Sequence, residues 1–82
     1  MIKRIEKYGA DWCQPCKVLE KTLSQVTGVT IVKYDADEDE ALFNEKNIRS
    51  IPVLIFYDEN DNEVKRTTGA VSLNTIMDII NN

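Results

Sequence analysis

Two cysteines, Cys13 and Cys16, stand in the run Trp12-Cys13-Gln14-Pro15-Cys16-Lys17, and the chain has no others. At the start of a helix this spacing brings two sulfurs together across one turn, so the pair can close a disulfide. Cys13 falls at the helix N-terminus, where unpaired backbone N–H groups and the macrodipole stabilise an anion. That setting lowers a thiol pKa from ~8.5 into the range of roughly 3.5 to 7.5. Cys13 is therefore expected to be partly exposed and nucleophilic. Cys16, one turn further in and shielded by helix packing, is expected to be the resolving thiol. Pro15 suits the first helical turn, because the N–H it lacks would have no partner there, and it stiffens the loop. The chemistry this predicts is thiol–disulfide exchange: Cys13 attacks a disulfide, and Cys16 then displaces the mixed disulfide.

Two other uses of the pair compete. A purely structural disulfide closing so short a loop removes only roughly 2 kcal/mol of unfolded-state entropy. A structural zinc ion needs four Cys or His ligands, and this chain offers two cysteines and no histidine. A C-x-x-C pair beside a β-α-β pattern is a redox signature in its own right.

Charge is uneven around these residues. From Met1 to Tyr34 there are six basic and three acidic residues, and from Asp35 onward four basic and eleven acidic. Both cysteines thus lie in the basic part of the sequence, which favours thiolates if the asymmetry survives folding. The net charge of -4 and the lack of a basic stripe argue against nucleic-acid binding. No apolar run approaches the ~18 residues of a membrane span. The N-terminal run Met-Ile-Lys-Arg-Ile-Glu-Lys does not read as a secretory signal. A cytoplasmic location is expected, where a close cysteine pair is more often catalytic or metal-binding than structural.

The elements that must position the pair can be read from periodicity. With 82 residues and 43% hydrophobic content, one domain spanning 1–82 is expected. Ile2 to Tyr8 reads as a polar first strand with confused alternation. Pro15 opens a helix placing Leu19, Thr22, Leu23 and Val26 on one face, with Gly28 as its stop. Thr30 to Tyr34 is a β-branched strand. Asp37 is expected to cap a second helix, Glu38 to Asn47, with acidic residues in its first turn. The apolar run Val53 to Tyr57 reads as a central strand covered on both faces. Asp58 to Asn62 is a hairpin turn, and Glu63 to Thr68 is its return strand. Ser72 caps a last helix with Leu73, Ile76, Met77 and Ile80 as its apolar stripe. The order β-α-β-α-β-β-α predicts an α/β fold, a four-stranded mixed sheet with three helices on both faces.

Three stretches resemble the thioredoxin family. Ala10-Asp11-Trp12-Cys13-Gln14-Pro15-Cys16-Lys17 is similar to the family's active-site stretch, with Gln14 where thioredoxins usually carry glycine. Ile48-Arg49-Ser50-Ile51-Pro52-Val53 resembles the loop ending in a cis-proline, and Thr68-Gly69-Ala70-Val71-Ser72 the glycine segment before the last helix. The resemblance implies that Pro52 is cis and lies against the cysteines. It also implies that Ile51, Pro52 and Gly69 line, with Trp12, a groove for a partner's disulfide segment. The plain alternatives are an ordinary half-buried aromatic for Trp12 and a simple turn for Gly69, but an exposed aromatic beside a reactive thiol favours the contact surface. The family further implies a disulfide-bearing protein substrate, no bound cofactor, and a redox disulfide Cys13–Cys16 re-reduced by a thioredoxin-reductase-like donor or a thiol. A monomer is expected, as is a potential near the thioredoxin value of roughly -270 mV.

The chain also departs from the family. Full-length thioredoxins have an additional strand and helix before the strand leading to the cysteines, whereas here Cys13 comes almost at once, as in glutaredoxins. Thioredoxins bury an aspartate six residues before the first cysteine, and this chain has Lys7. Glu6 is adjacent but points to the other face of a strand. Lys33 matches the lysine that accompanies the aspartate, so Lys7 and Lys33 are expected to support thiolates. Two further readings of function are a glutathione-dependent, glutaredoxin-like reductase and an electron donor to ribonucleotide reductase. A third is a protein-binding module whose thiols are incidental. Asp35, Asp37 and Asp39 do not continue into a calcium loop, since Glu40 and Lys46 occupy its glycine and glutamate positions.

Overall fold

The computed structural model describes all residues, Met1–Asn82. Its elements are β1 (Ile2–Gly9), α1 (Gln14–Leu23), β2 (Thr30–Asp35), α2 (Glu40–Glu45), β3 (Val53–Asp58), β4 (Glu63–Thr68) and α3 (Leu73–Asn81). The sheet order is β2-β1-β3-β4. β1 pairs parallel with β2 and antiparallel with β3, and β3 pairs antiparallel with β4. Ile5, Leu54 and Phe56 face α1 and α3 in one core that includes Leu19, Leu23 and Ile76. Tyr8, Val53, Ile55 and Tyr57 face α2 in a second core around Phe43. The sheet is mixed and carries helices on both faces, as the element order requires. No helix is long and apolar enough to cross a membrane.

The confused alternation of β1 has a simple cause. β1 lies inside the sheet with both faces covered, so period 2 does not sort its polar from its apolar residues. Glu6 and Lys7 are therefore both buried, at 5% and 6% exposure. Each has an ionic partner on its own face, Glu6 with Arg4 and Lys7 with Glu20.

Two helix boundaries differ from the sequence expectation. α1 ends at Leu23, not near Val26. The Thr22 hydroxyl binds the Val18 carbonyl at 3.3 Å and the Ser24 hydroxyl binds that of Lys21 at 2.6 Å, contacts that compete with a regular helix. Gln25 and Val26 continue in tighter turns that still deliver Val26 to the core. Gly28, at φ 84°, turns the chain toward β2 rather than stopping the helix. α2 is also shorter than expected, and Asp37 does not cap it. Asp35 accepts the N–H groups of Asp37 (2.9 Å) and Glu38 (3.3 Å), while Asp39 accepts that of Asp35 at 2.9 Å. These local carboxylate bonds hold residues 35–39 in turns, so the helix starts only at Glu40. The other two polar signals act as expected: Asp58 accepts the N–H groups of Asn60 and Asn62 in the hairpin turn, and Ser72 accepts that of Thr75 as the α3 cap.

Candidate active site

Cys13 is the N-cap of α1, with extended backbone (φ -93°, ψ 110°), and its sulfur accepts the N–H of Cys16 at 3.3 Å. A donor already aimed at this sulfur is the local feature that stabilises it as an anion once the disulfide is reduced. The two residues are joined in a disulfide, their Cα atoms 5.2 Å apart. They form a small buried cluster with Ala10, against which Ile51 and Ala36 pack. Cys16 is 1% exposed. Cys13 is only 6% exposed rather than partly open, because its sulfur is bonded inward to Cys16 within that cluster. Gln14 and Pro15 form the exposed first turn of α1, with proline at the start of the helix.

The Ile51–Pro52 peptide bond is cis, and Pro52 is fully buried. The Pro52 carbonyl accepts the N–H of Gly69 at 2.8 Å, which ties the two loops together. Gly69 has φ 86°, a conformation an L side chain resists. Trp12 is 68% exposed, and its indole N–H donates to Asp37 Oδ2 at 3.1 Å. The aspartate read from sequence as a helix cap thus holds the aromatic next to Cys13.

A second group lies on the other side of Cys16. Lys7 Nζ donates to Glu20 Oε2 at 3.4 Å, and Lys33 Nζ to Glu20 Oε1 at 3.1 Å. The Lys33 and Lys7 ammoniums hold the Glu20 carboxyl below the usual carboxylate range. A Cβ at Gly9 would lie 3.1 Å from Cys16 Sγ and 3.5 Å from Lys7 Nζ, so sulfur and ammonium flank the same empty position. Lys7, Gly9, Glu20 and Lys33 border an open cleft of about 580 Å³, along which Lys17, Lys21, Asp35 and Asp39 also lie. The charge asymmetry of the sequence does not persist here, because the acidic residues after Asp35 fold back onto the basic ones.

Glu20, Gly9 and Asp37 were not among the residues expected at the site. Glu20 had a readable signal, since it stands one helical turn after Cys16 and so shares its side of α1. Gly9 and Asp37 had none, because their roles depend on long-range packing. No group of three or more His, Cys, Asp or Glu is arranged to hold a metal ion.

The chain matches known proteins over nearly its full length. The family model described as Thioredoxin covers residues 3–82. A thioredoxin of Mycoplasmoides gallisepticum is 32% identical over 82 residues, covering 95% of this chain and 81% of that protein. A chloroplastic thioredoxin-like protein of Nicotiana benthamiana is also 32% identical, over 99% of this chain, which spans only 48% of that relative. Among solved structures, a mutant thioredoxin from Halobacterium salinarum superposes with a TM-score of 0.84 at 29% identity, covering 94% of this chain and 70% of that one. With its disulfide at a helix N-terminus and a cis-proline in the fold's expected loop, the chain belongs to the thioredoxin family of thiol–disulfide oxidoreductases.

Proposed function

We propose that this protein reduces protein disulfides by dithiol exchange, with Cys13 as nucleophile and Cys16 as resolving thiol. The carrying observation is the Cys13 sulfur at the α1 N-cap, accepting the Cys16 N–H at 3.3 Å. In the reduced protein the Cys13 thiolate attacks one sulfur of the partner's disulfide. A Cys13–partner bond forms, and the partner's other sulfur leaves with the bonding electron pair. Cys16 loses its proton and attacks Cys13 Sγ, which forms the intramolecular disulfide and releases the partner's second thiolate. The protein is oxidised by two electrons and the partner reduced by two. No bound cofactor takes part, and a thioredoxin-reductase-like electron donor or a small thiol returns the two electrons.

Trp12, the Ile51 backbone, Pro52 and Gly69 form the surface that receives the partner's extended segment. In support, Ile51 packs on the cysteine cluster and Gly69 is hydrogen-bonded to Pro52, while Trp12 is exposed next to the nucleophile. The protein acts as a cytoplasmic monomer. A reducing compartment keeps such a pair cycling, and the large exposed apolar residues Met1, Trp12, Val18 and Val64 are too few and too separate along the chain to demand a partner subunit.

The test is reduction of insulin, driven first by dithiothreitol and then by glutathione, for the wild type and for Cys13→Ser and Cys16→Ser. Activity with dithiothreitol, abolished in both variants and poorly supported by glutathione, is the expected result. Efficient glutathione turnover that survives Cys16→Ser would replace this reading with a glutaredoxin-like one. Inactivity under both reductants would leave a binding module.

A further inference from the structure

Lys7 is buried beside Cys16 and takes no part in the bond changes of the exchange. Its side chain is 8% exposed, and its one ionic partner, Glu20, is 51% exposed and shared with Lys33. One carboxylate thus serves two ammoniums, which leaves a net positive charge in the cluster. The Lys7–Glu20 contact of 3.4 Å is longer than a strong charge-assisted bond of roughly 2.7–2.9 Å. Burying an ammonium on so weak a partnership is costly, and a second anion beside it would offset that cost.

Cys16 Sγ is the group positioned to supply one. Gly9 keeps the space between sulfur and ammonium free of any side chain. The charged groups that line the cleft with Lys7 are Lys17, Glu20 and Lys21 on α1, and Lys33 with Asp35 on β2. Asp11, Glu38 and Asp39, in the connecting loops, complete the rim of the same open cleft.

Resting on the reading of Cys16 as the resolving thiol, we propose that Lys7 stabilises the Cys16 thiolate electrostatically and that Glu20 positions Lys7 while attenuating its charge. The Cys16 proton leaves to solvent. The thiolate then attacks Cys13 Sγ, the Cys13–partner bond breaks, and the partner sulfur departs with the electron pair. Lys7 takes no part in the bond changes.

The experiment is a thiolate titration by ultraviolet absorbance at ~240 nm in the Cys13→Ser background, where Cys16 is the only thiol. Lys7→Met is expected to raise the Cys16 midpoint by about one pH unit or more, since an opposite charge at close range shifts a pKa by ~1–3. Glu20→Gln is expected to lower it, because the cluster then carries more positive charge. A merely structural role would move both variants in the same direction. In the otherwise native protein, resolution of a Cys13 mixed disulfide at neutral pH should slow by about threefold or more in Lys7→Met, since the roughly tenfold smaller thiolate fraction is partly offset by its greater nucleophilicity. Should Lys7→Met prove poorly folded, Lys7→Gln keeps a polar side chain of similar reach and must show the same rise. An unchanged Cys16 midpoint in the folded Lys7 variant would overturn the proposal, even if resolution slowed, as would shifts of one sign in both. The titration requires no turnover, so its failure is distinct from inactivity of the wild type toward insulin.

Discussion

At the scale of single residues, Gly9 shows how closely the backbone of β1 approaches the redox pair. Its backbone does not have the positive φ that demands glycine, so the requirement is one of space alone. A methyl group there would meet Cys16 Sγ at 3.1 Å and Cys16 Cβ at 3.3 Å, closer than carbon and sulfur pack comfortably. Both atoms belong to a fully buried residue at the head of α1, so neither can move far without dragging the helix. Gly9→Ala is therefore expected to destabilise the oxidised protein by about 1–3 kcal/mol, the usual cost of overpacking. Urea unfolding of the two proteins at equal pH checks this. A variant as stable as the wild type would mean that the α1 head yields more easily than its burial implies.

At the scale of elements, β1 organises the molecule by carrying one ionic group to each face of the sheet. On the α1 side it presents Lys7, and on the α2 side Glu6. Glu6 Oε1 accepts the hydroxyl of Tyr8 at 2.7 Å, and Glu6 Oε2 accepts Arg4 Nε at 3.1 Å. Tyr8 is itself fully buried between Tyr34 and Phe43. Burial first, and then the Glu6 carboxylate, raise the Tyr8 phenol far above its ordinary pKa. The folded state thus holds the Tyr8 proton while the unfolded chain releases it above about pH 10. Stability from this residue is full below that pH and is lost as the pH rises beyond it. Tyr8→Phe should cost about 1.5–3 kcal/mol at neutral pH, the value of a hydrogen bond to a charged group. It should also flatten the alkaline fall in stability. Denaturant midpoints at pH 8 and pH 11 test both parts, and an equally steep fall in the variant would remove Tyr8 as its cause.

The same strand shows where the sequence was legible and where it was not. Every element that owes its form to local chemistry could be read: the proline-headed α1, the apolar β3, the Asp58 turn and the Ser72 cap. The errors fall where a polar side chain had two local options. Thr22 and Ser24 bonded backward to carbonyls and ended α1 early, and Asp35 with Asp39 took the bonds expected of Asp37. At the site, the cysteines and the two loops carrying Pro52 and Gly69 were visible in short motifs. The Lys7–Glu20–Lys33 cluster was only half visible, because it joins β1, α1 and β2 across the sheet and no local pattern records which carboxylate will meet a buried lysine.

At the scale of the whole molecule, the absence of histidine makes the redox pair unusually readable through stability. Between about pH 5 and 9 no side chain of the oxidised protein has an ordinary pKa in range. Its unfolding free energy should therefore be nearly flat there. At lower pH it falls, because Glu63 is held below the usual range by Arg66, and Asp58 by the backbone N–H of Asn62. Stability from such depressed carboxyls is present above their unfolded pKa and lost as the pH drops through the folded one. Reduction adds two thiols. In the unfolded chain they titrate near ~8.5, and in the folded one the N–H donor at the α1 N-cap and, on the proposal above, the Lys7 cluster are expected to favour their thiolates. A depressed folded pKa gives a contribution that is complete above ~8.5 and disappears as the pH falls through the folded value. The reduced protein should therefore gain stability relative to the oxidised one as the pH rises from about 6 to 8.5. Each unit by which a thiol is depressed supplies ~1.4 kcal/mol. Parallel urea titrations of both redox states across that range measure the difference directly. An upward slope confined to the reduced form, and reduced in Cys13→Ser, places a depressed thiolate at Cys13. Parallel flat curves would mean that the N-cap leaves its sulfur an ordinary thiol, and nucleophilicity would then have to come from the partner's disulfide instead.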